Sequence, residues 1–273
     1  MSRTNDVVGV TTDETAQLYQ EIYGLRAALR SRPLIARALG VIQGRYGLDA
    51  DRAFDLLRES AQRHNLKLST LASTVLVAAP PTGAAWFPGR VRRPSPSLSY
   101  IDDKHHNRTA VLSAFLDAVL TIMDTQVGDL QLTDPLTGAL HLEQHRNLSA
   151  GFVDFFANVS DDPTSCATAM RRRSRVIVRD VATDPIFTGT DSGAMVLSEG
   201  VRSVQSTPVQ LPGGRCVAMV STHHGEPDLS PTRAQLDRVD RFATQTAHWL
   251  DWHQRTVVLD ALEFVHKQAL RLQ

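Results

Sequence analysis

The chain has 273 residues, and its 29 basic and 29 acidic residues give a formal net charge of zero. This length suits about two domains. The charge balance excludes a uniformly basic protein surface, although a local basic patch is compatible with a net charge of zero. Two cysteines are too few for a disulfide scaffold, which favours a reducing compartment. There is no signal-peptide core and no apolar run of membrane-spanning length, so we expect a cytoplasmic protein without a membrane anchor.

A long helix is predicted to begin near residue 13. Leu18, Ile22, Leu25 and Leu29 follow at spacings of four, three and four residues. This spacing is typical of a coiled-coil seam. The seam could instead pack on the chain's own domain, but we favour pairing of two chains.

Three helical segments are predicted within residues 14–79. Gly47 should close the first, because glycine tolerates the left-handed conformation that follows a last turn. Asp49 should cap the second through its carboxylate. Pro33 removes a backbone donor inside the first helix, so we expect a kink or break there. Each segment has a narrow apolar stripe, which predicts that the three pack together as one unit.

Residues 31–72 also carry a specific pattern, spread over the three helices. It consists of Ser31, Arg32, Ile35, Ala38, Gly40, Ala53, Phe54, Leu57, Arg58, Ala61, Asn65, Leu68 and Ala72. In this order and spacing, the residues resemble the ANTAR family, the RNA-binding output modules of bacterial transcription antiterminators. The family usually has a lysine between the positions of Ala38 and Gly40, where this chain has Leu39. That lysine would contact a phosphate, so its absence bears on RNA binding rather than on the fold.

The resemblance directs attention to the charge of this unit, where nine basic and four acidic residues lie between Arg26 and Lys67. It implies that cations hold RNA phosphates and that an aromatic ring stacks on loop bases. The expected RNA-binding residues are Arg32, Arg37, Arg45, Tyr46, Arg58, Arg63, His64 and Lys67. An ordinary solvated helix face remains the alternative interpretation.

Residues 80–108 are predicted to form a linker rich in proline, serine and glycine. Arg90, Arg92 and Arg93 are interpreted as solvated linker charges, with contact to an RNA backbone as the alternative. Trp86 and Phe87 are unusual in a free linker and are expected to dock on one of the domains.

The region 109–252 is predicted to be α+β, with the order helix, two strands, two helices, strand, helix, two strands and a long helix. Its characteristic segments are 128–132, 178–181, 184–185, 200–208 and 219–223. These segments resemble the GAF family, whose fold is an antiparallel sheet flanked by helices, with a ligand pocket on one face. Because the family shares a fold more than a ligand, the cofactor or effector stays unidentified.

The GAF resemblance implies a pocket that we expect to be lined by Gln131, Phe156, Cys166, Val178, Asp180, Phe187, Gln205, Thr207 and Met219. Cys166 is interpreted as structural, with cofactor ligation or a redox role as the alternative. Asp180 could orient a polar ligand or simply cap its loop. Histidines such as His223 and His224 point to opposite faces of a strand, so no metal site is expected. No catalytic motif is recognised, and we expect no enzymatic activity.

Residues 253–273 are predicted to form a helical extension. Val258, Leu262, Val265, Ala269 and Leu272 make a second heptad seam, interpreted as part of a homodimer interface. The sequence thus predicts a signal-responsive antitermination regulator that binds tandem RNA hairpins under control of a small-molecule effector. The alternative is a dimeric ligand sensor or scaffold that acts through protein partners, with an RNA-binding unit that has lost its function; Leu39 favours it.

Overall fold

The computed structural model describes residues 12–102, 107–160 and 163–272. The elements in chain order are α1 Thr12–Tyr46, α2 Ala50–Arg63, α3 Leu68–Val77, α4 Arg108–Ile122, β1 Val127–Thr133, β2 Leu140–Arg146, α5 Ala150–Phe155, β3 Asn158–Val159, α6 Ser165–Arg172, β4 Val176–Val178, α7 Asp191–Ser198, β5 Ser203–Gln210, β6 Cys216–His224, α8 Arg233–His253, a π-helical turn Gln254–Val258 and α9 Leu259–Arg271. They form a helical unit and a sheet domain.

The boundaries of the first helices follow from local chemistry. Gly47 has a φ of +67° and follows the last turn of α1, as expected. Asp49 caps α2 by accepting a hydrogen bond from the backbone N–H of Arg52 at 2.8 Å. The break expected at Pro33 is absent, because α1 runs through it without interruption. A proline removes only one backbone hydrogen bond, and core packing of Ala38 and Ile42 holds the helix on its C-terminal side.

The helical unit contains a fourth helix, which the sequence pattern had predicted to be a separate extension. Helix α9 packs on α2 and α3, and the hydroxyl of Ser60 donates to the carbonyl of Ala261 at 2.8 Å. The seam residues Val258, Leu262, Val265 and Ala269 are all buried. The prediction that this seam lies open for a second chain was therefore wrong, because its own helical unit covers it.

The predicted linker is also docked. Trp86 is buried in the core of the helical unit, and its indole N–H donates to the carbonyl of Ala79 at 2.8 Å. The carboxylate of Glu263 accepts from the backbone N–H groups of Trp86 and Phe87 at 2.8 and 3.2 Å. Burial acts to raise the pKa of Glu263, but hydrogen bonds from Lys267 and from these backbone groups bring the pKa below its usual value.

The linker arginines take part in this docking as well. The guanidinium of Arg90 bonds to the carboxylate of Asp260 and to the carbonyl of Arg255. Arg92 lies 3.1 Å from the second oxygen of Asp260. Both arginines are therefore paired with the C-terminal helices. The interpretation as a solvated linker charge was wrong for Arg90, whose side chain is largely buried, whereas Arg92 and Arg93 are exposed to solvent. We call residues 86–93 the strap.

The sheet domain has six antiparallel strands in the order β3-β2-β1-β6-β5-β4. Helices α4 and α8 cover one face, where Leu112, Phe115 and Val239 pack on Leu130 and Val220. The shorter helices α5, α6 and α7 cover the other face. The first of the two consecutive helices that the sequence predicts, over residues 149–159, ends at Phe155, and residues 158 and 159 form β3 instead. The fold is α+β, as the sequence predicts.

Candidate nucleic-acid surface and ligand pocket

Four of the expected RNA-binding residues on α1 and α2 are exposed, namely Arg32, Arg37, Arg58 and Arg63. The guanidinium of Arg58 lies 5.9 Å from the ring centre of Phe54, and Phe54 is 38% exposed. The apolar spacing of α2 predicts that Phe54 belongs to the buried stripe, but Leu56 occupies that stripe. Phe54 is thus a solvent-facing aromatic beside cations, and helical spacing alone did not reveal it.

Tyr46 is not available to stack on RNA bases. It is 4% exposed, and its hydroxyl is 2.8 Å from Nδ1 of His266 on α9. Burial raises the pKa of the hydroxyl. The expectation that Tyr46 contacts RNA was wrong, because the fourth helix of the unit covers this ring.

Arg45, Arg63 and His64 pack against aromatic rings of the strap and α9. The guanidinium of Arg45 lies 4.9 Å from the ring centre of Trp86, and that of Arg63 lies 5.0 Å from Phe264. The His64 ring meets Phe264 edge-on at 5.8 Å. Arg45 is half-buried and Arg63 is exposed, so both cations keep solvent contact beside the strap and α9.

Lys67 lies where the helical unit meets the sheet domain. Its ammonium is 2.9 Å from a carboxylate oxygen of Glu143 on β2, which also lies 3.3 Å from the guanidinium of Arg108. Arg108 in turn donates to the hydroxyl of Thr70 at 2.9 Å. The start of α3 is therefore held to the sheet domain by charge, and an RNA phosphate would have to compete with Glu143 for Lys67.

The sheet domain encloses a cavity of about 20 Å³ between the strands and helices α5, α6 and α7. Four of the nine predicted pocket residues, Gln131, Phe156, Cys166 and Phe187, line it. Val178 and Met219 belong to the apolar cluster around it but do not line it. The lining residues that the sequence did not predict are Asp129, Phe152, Thr164, Ser165, Val196, Val204 and His223.

Three predicted pocket residues lie elsewhere. Gln205 and Thr207 point to the opposite face of the sheet, where Gln205 Nε2 donates to the Thr207 hydroxyl at 3.3 Å. Side chains alternate along a strand, so Val204 faces the cavity in place of Gln205. The Asp180 carboxylate caps its loop at the N–H of Ala182 and pairs with Arg202 at 3.0 Å. Placing these three residues in the pocket was wrong.

Cys166 is a buried free thiol rather than an activated one. Its Sγ lies 3.3 Å from the Ser221 hydroxyl and 3.6 Å from that of Ser206. Burial, and then the charge of Asp129, raise the pKa of the thiol to about 11. A thiol with this pKa is protonated at neutral pH and a poor nucleophile.

Among the described residues, no group of three or more histidine, cysteine, aspartate or glutamate side chains is arranged to hold a metal ion. None of the helices in the described part of the chain combines the length and the apolar character needed to cross a bilayer.

A covered antiparallel sheet with a small cavity lined by aromatic, apolar and a few polar side chains, joined to a compact helical unit, defines a two-domain regulatory architecture. The chain belongs to the GAF domain family, whose model matches residues 106–248, and it carries an ANTAR domain at residues 24–76. Both are regulatory or sensory kinds of domain. No curated protein matches the chain.

Solved structures with the same sheet architecture share little sequence with this chain. The GAF domain of Acinetobacter phosphoenolpyruvate-protein phosphotransferase is 12% identical with a TM-score of 0.46, and the alignment covers 74% of this chain and 95% of that domain. The GAF domain/HD domain protein from Geobacter sulfurreducens is 13% identical with a TM-score of 0.44, and the alignment covers 55% of this chain and 96% of the Geobacter chain. The type II free methionine-R-sulfoxide reductase from Thermoplasma acidophilum is 13% identical with a TM-score of 0.41, covering 53% and 94%.

Proposed function

We propose that this protein is a bacterial cytoplasmic regulator of transcription antitermination that binds tandem RNA hairpins as a homodimer, under control of a small molecule sensed by the GAF domain. The observation that carries the proposal is the exposed surface of the ANTAR domain. Arg32 and Arg37 on α1 and Arg58 on α2 are exposed, and the Arg58 guanidinium lies beside the solvent-facing ring of Phe54. Guanidinium groups suit phosphates, and an exposed aromatic ring suits an unstacked loop base.

The contacts between the domains give the sensor a route to this face. Helix α8 of the GAF domain continues through the π-helical turn into α9, which is part of the ANTAR core. The ion pair of Lys67 with Glu143 adds a second link. A ligand that binds two arrangements of these elements with different affinity would shift the equilibrium between them.

The test of RNA binding is a gel-shift titration of the purified full-length protein against a tandem-hairpin RNA, with a single-hairpin RNA as control, across a salt series. Binding that needs both hairpins and weakens with salt supports the proposal. Equal, weak binding of both RNAs by a folded protein contradicts it. That result would favour the alternative of a sensor or scaffold acting through protein partners, for which Leu39 in place of the family's usual lysine is the specific feature.

Replacing Arg32, Arg37 and Arg58 together by Ala should weaken tandem-hairpin binding roughly 100-fold, at about 1 kcal/mol for each arginine–phosphate hydrogen bond that is removed. The slope of log affinity against log salt should fall by about one for each phosphate that is no longer neutralised. The matched control replaces Arg172, Arg238 and Arg241 by Ala, which are exposed arginines of the GAF domain. Equally weakened binding in the two triple variants would show that only the overall charge matters.

The homodimer is expected to form through α1, where Leu25 and Leu29 are 57% and 60% exposed. Both lie at seam positions, so pairing with a second copy would bury them. Replacing both by Asp should halve the mass measured by light scattering and remove the preference for two hairpins over one. The control, Leu197→Asp, alters an exposed leucine outside the seam. A wild-type protein that is already a monomer would refute the pairing.

A further inference from the structure

The buried cavity of the GAF domain has open polar atoms that are hydrogen-bond acceptors. Oδ1 of Asp129 is 2.8 Å from Nε2 of His223, while Oδ2 has no partner among the described residues. Oε1 of Gln131 and Nδ1 of His223 are likewise buried and unpartnered in the described part of the chain. When Nε2 of His223 carries the proton that it donates to Asp129, Nδ1 is an acceptor.

Unpartnered acceptors in a buried site indicate a missing donor. The side chains of Asp129, Gln131 and His223 are each at least nine-tenths buried, so bulk water does not satisfy them. Leaving such groups unpaired is unfavourable, and more so for a charged group. The complementary group is therefore one that brings several N–H donors and a positive charge to Asp129.

The rest of the cavity wall supports this choice. Phe152, Phe156 and Phe187 line it, and the edge of Phe152 meets the His223 ring at 5.4 Å. Aromatic rings attract a cation placed over their faces. The cavity of about 20 Å³ has room for roughly one water-sized group, which is the size of a primary ammonium head. A carboxylate of that size would meet the charge of Asp129 and be repelled.

A second space shares a lining residue with the cavity. A surface groove of about 390 Å³ runs along α7 and the loop before it, lined in part by Val181, Thr188, Ala194 and Leu197. Phe187 lines both the groove and the buried cavity. Because Phe187 borders both spaces, a ligand with its head in the cavity would reach the groove by passing or displacing the Phe187 ring.

We propose that the ligand of this GAF domain is a primary amine, with its ammonium group held by Asp129, Gln131 and His223 in the buried cavity and an apolar tail in the groove beyond Phe187. This proposal deepens the sensor role proposed above and rests on it. It names the chemistry that the site recognises: a single cationic head with three N–H donors, followed by an apolar chain.

The test is isothermal titration calorimetry on the full-length protein without RNA, at constant pH and ionic strength. The ligands are ammonium chloride, the straight-chain amines from ethylamine to hexylamine and the matched alcohols. We expect the amines to bind at least tenfold more tightly than the alcohols. The affinity should rise up to fourfold for each added methylene, because the growing tail is buried in the groove.

The Asp129→Asn variant should weaken amine binding at least tenfold while keeping the side-chain shape. Asp180→Asn makes the same chemical change outside the cavity and should leave amine binding unchanged. Alcohols that bind as well as amines, or amine binding unaffected by Asp129→Asn, would overturn the proposal. If the affinity does not rise with the chain length of the amine, the groove is not part of the binding site.

Two features of this design keep the outcome clear. If Asp129→Asn fails to fold, the comparison of amines with alcohols on the wild-type protein still decides the question. Because no RNA is present, a negative titration leaves the RNA-binding proposal standing. Loss of RNA binding in the gel-shift experiment would equally leave a positive amine titration standing.

Discussion

Replacing Leu262 by Ala is expected to lower the free energy of unfolding of the ANTAR domain by about 2–5 kcal/mol, the range found for truncating a fully buried leucine. Leu262 lies on α9, outside the segment that matches the ANTAR family, yet it is fully buried in the core of that domain. Its truncation leaves a cavity between α9 and its neighbours, and α2 and α3 both pack on α9. RNA affinity should fall with it, because the helices that present the basic face lose their support.

The matched control is Leu270→Ala on the same helix, where the side chain is 41% exposed. It should change the free energy of unfolding by no more than about 0.5 kcal/mol, as is usual for a surface site. Hydrogen–deuterium exchange would locate the effect, with faster exchange in α2 and α3 for Leu262→Ala alone. Equal exchange in the two variants would mean that α9 does not pack on the ANTAR domain in solution.

Acidification is expected to destabilise the junction between α8 and α9 through His253. The ring is buried and stacks on Trp249 with centroids 5.0 Å apart. Burial, and then the charge of Arg108, lower the pKa of His253 to about 4. The unfolded chain takes up this proton near pH 6.5, so stability is lost as the pH falls from about 6.5 to about 4. Below about pH 4 His253 is protonated in both the folded and the unfolded chain, and above about pH 6.5 it is neutral in both, so its contribution to the stability does not change outside this window.

The expected loss of stability across this window is about 3 kcal/mol, at about 1.4 kcal/mol for each pH unit of displacement. His253→Phe keeps a ring against Trp249 and should remove this part of the pH dependence. His248→Gln changes an exposed histidine of the same helix and should retain it. Urea denaturation at a series of pH values measures all three proteins, and parallel curves for wild type and His253→Phe would contradict the prediction.

Local features of the chain were predicted well where their cause lies within a few residues. Gly47 ends α1 and Asp49 caps α2, because a left-handed turn and a carboxylate cap each depend only on neighbouring backbone. Ser230, which is followed by Pro231, is the cap that the sequence predicts for α8. The helix is instead capped two residues later by Thr232, in a reciprocal capping box with Gln235. Two neighbouring hydroxyl residues are hard to rank as caps before the helix axis is known.

The candidate sites were predicted less completely, because they depend on which face a side chain takes. In the sheet, Gln131 on β1 reaches the cavity, whereas Gln205 on β5 lies on the opposite face. A shift of one residue along a strand reverses the face, and motif positions alone do not set the register. In the helical unit, Phe54 and Leu56 are both compatible with an apolar stripe, and only packing exposes the first and buries the second.

The sequence by itself determined the two families, the α+β class and the cations of the RNA-binding unit, since these follow from residue types at short spacings. The tertiary structure alone decided that α9 completes the ANTAR core, burying Tyr46 and the second heptad seam. A heptad of apolar residues shows that a helix needs a partner and does not say which one. That partner proved to be the ANTAR helices more than 180 residues earlier in the same chain, as the bond between Ser60 and Ala261 shows, a separation of 201 residues.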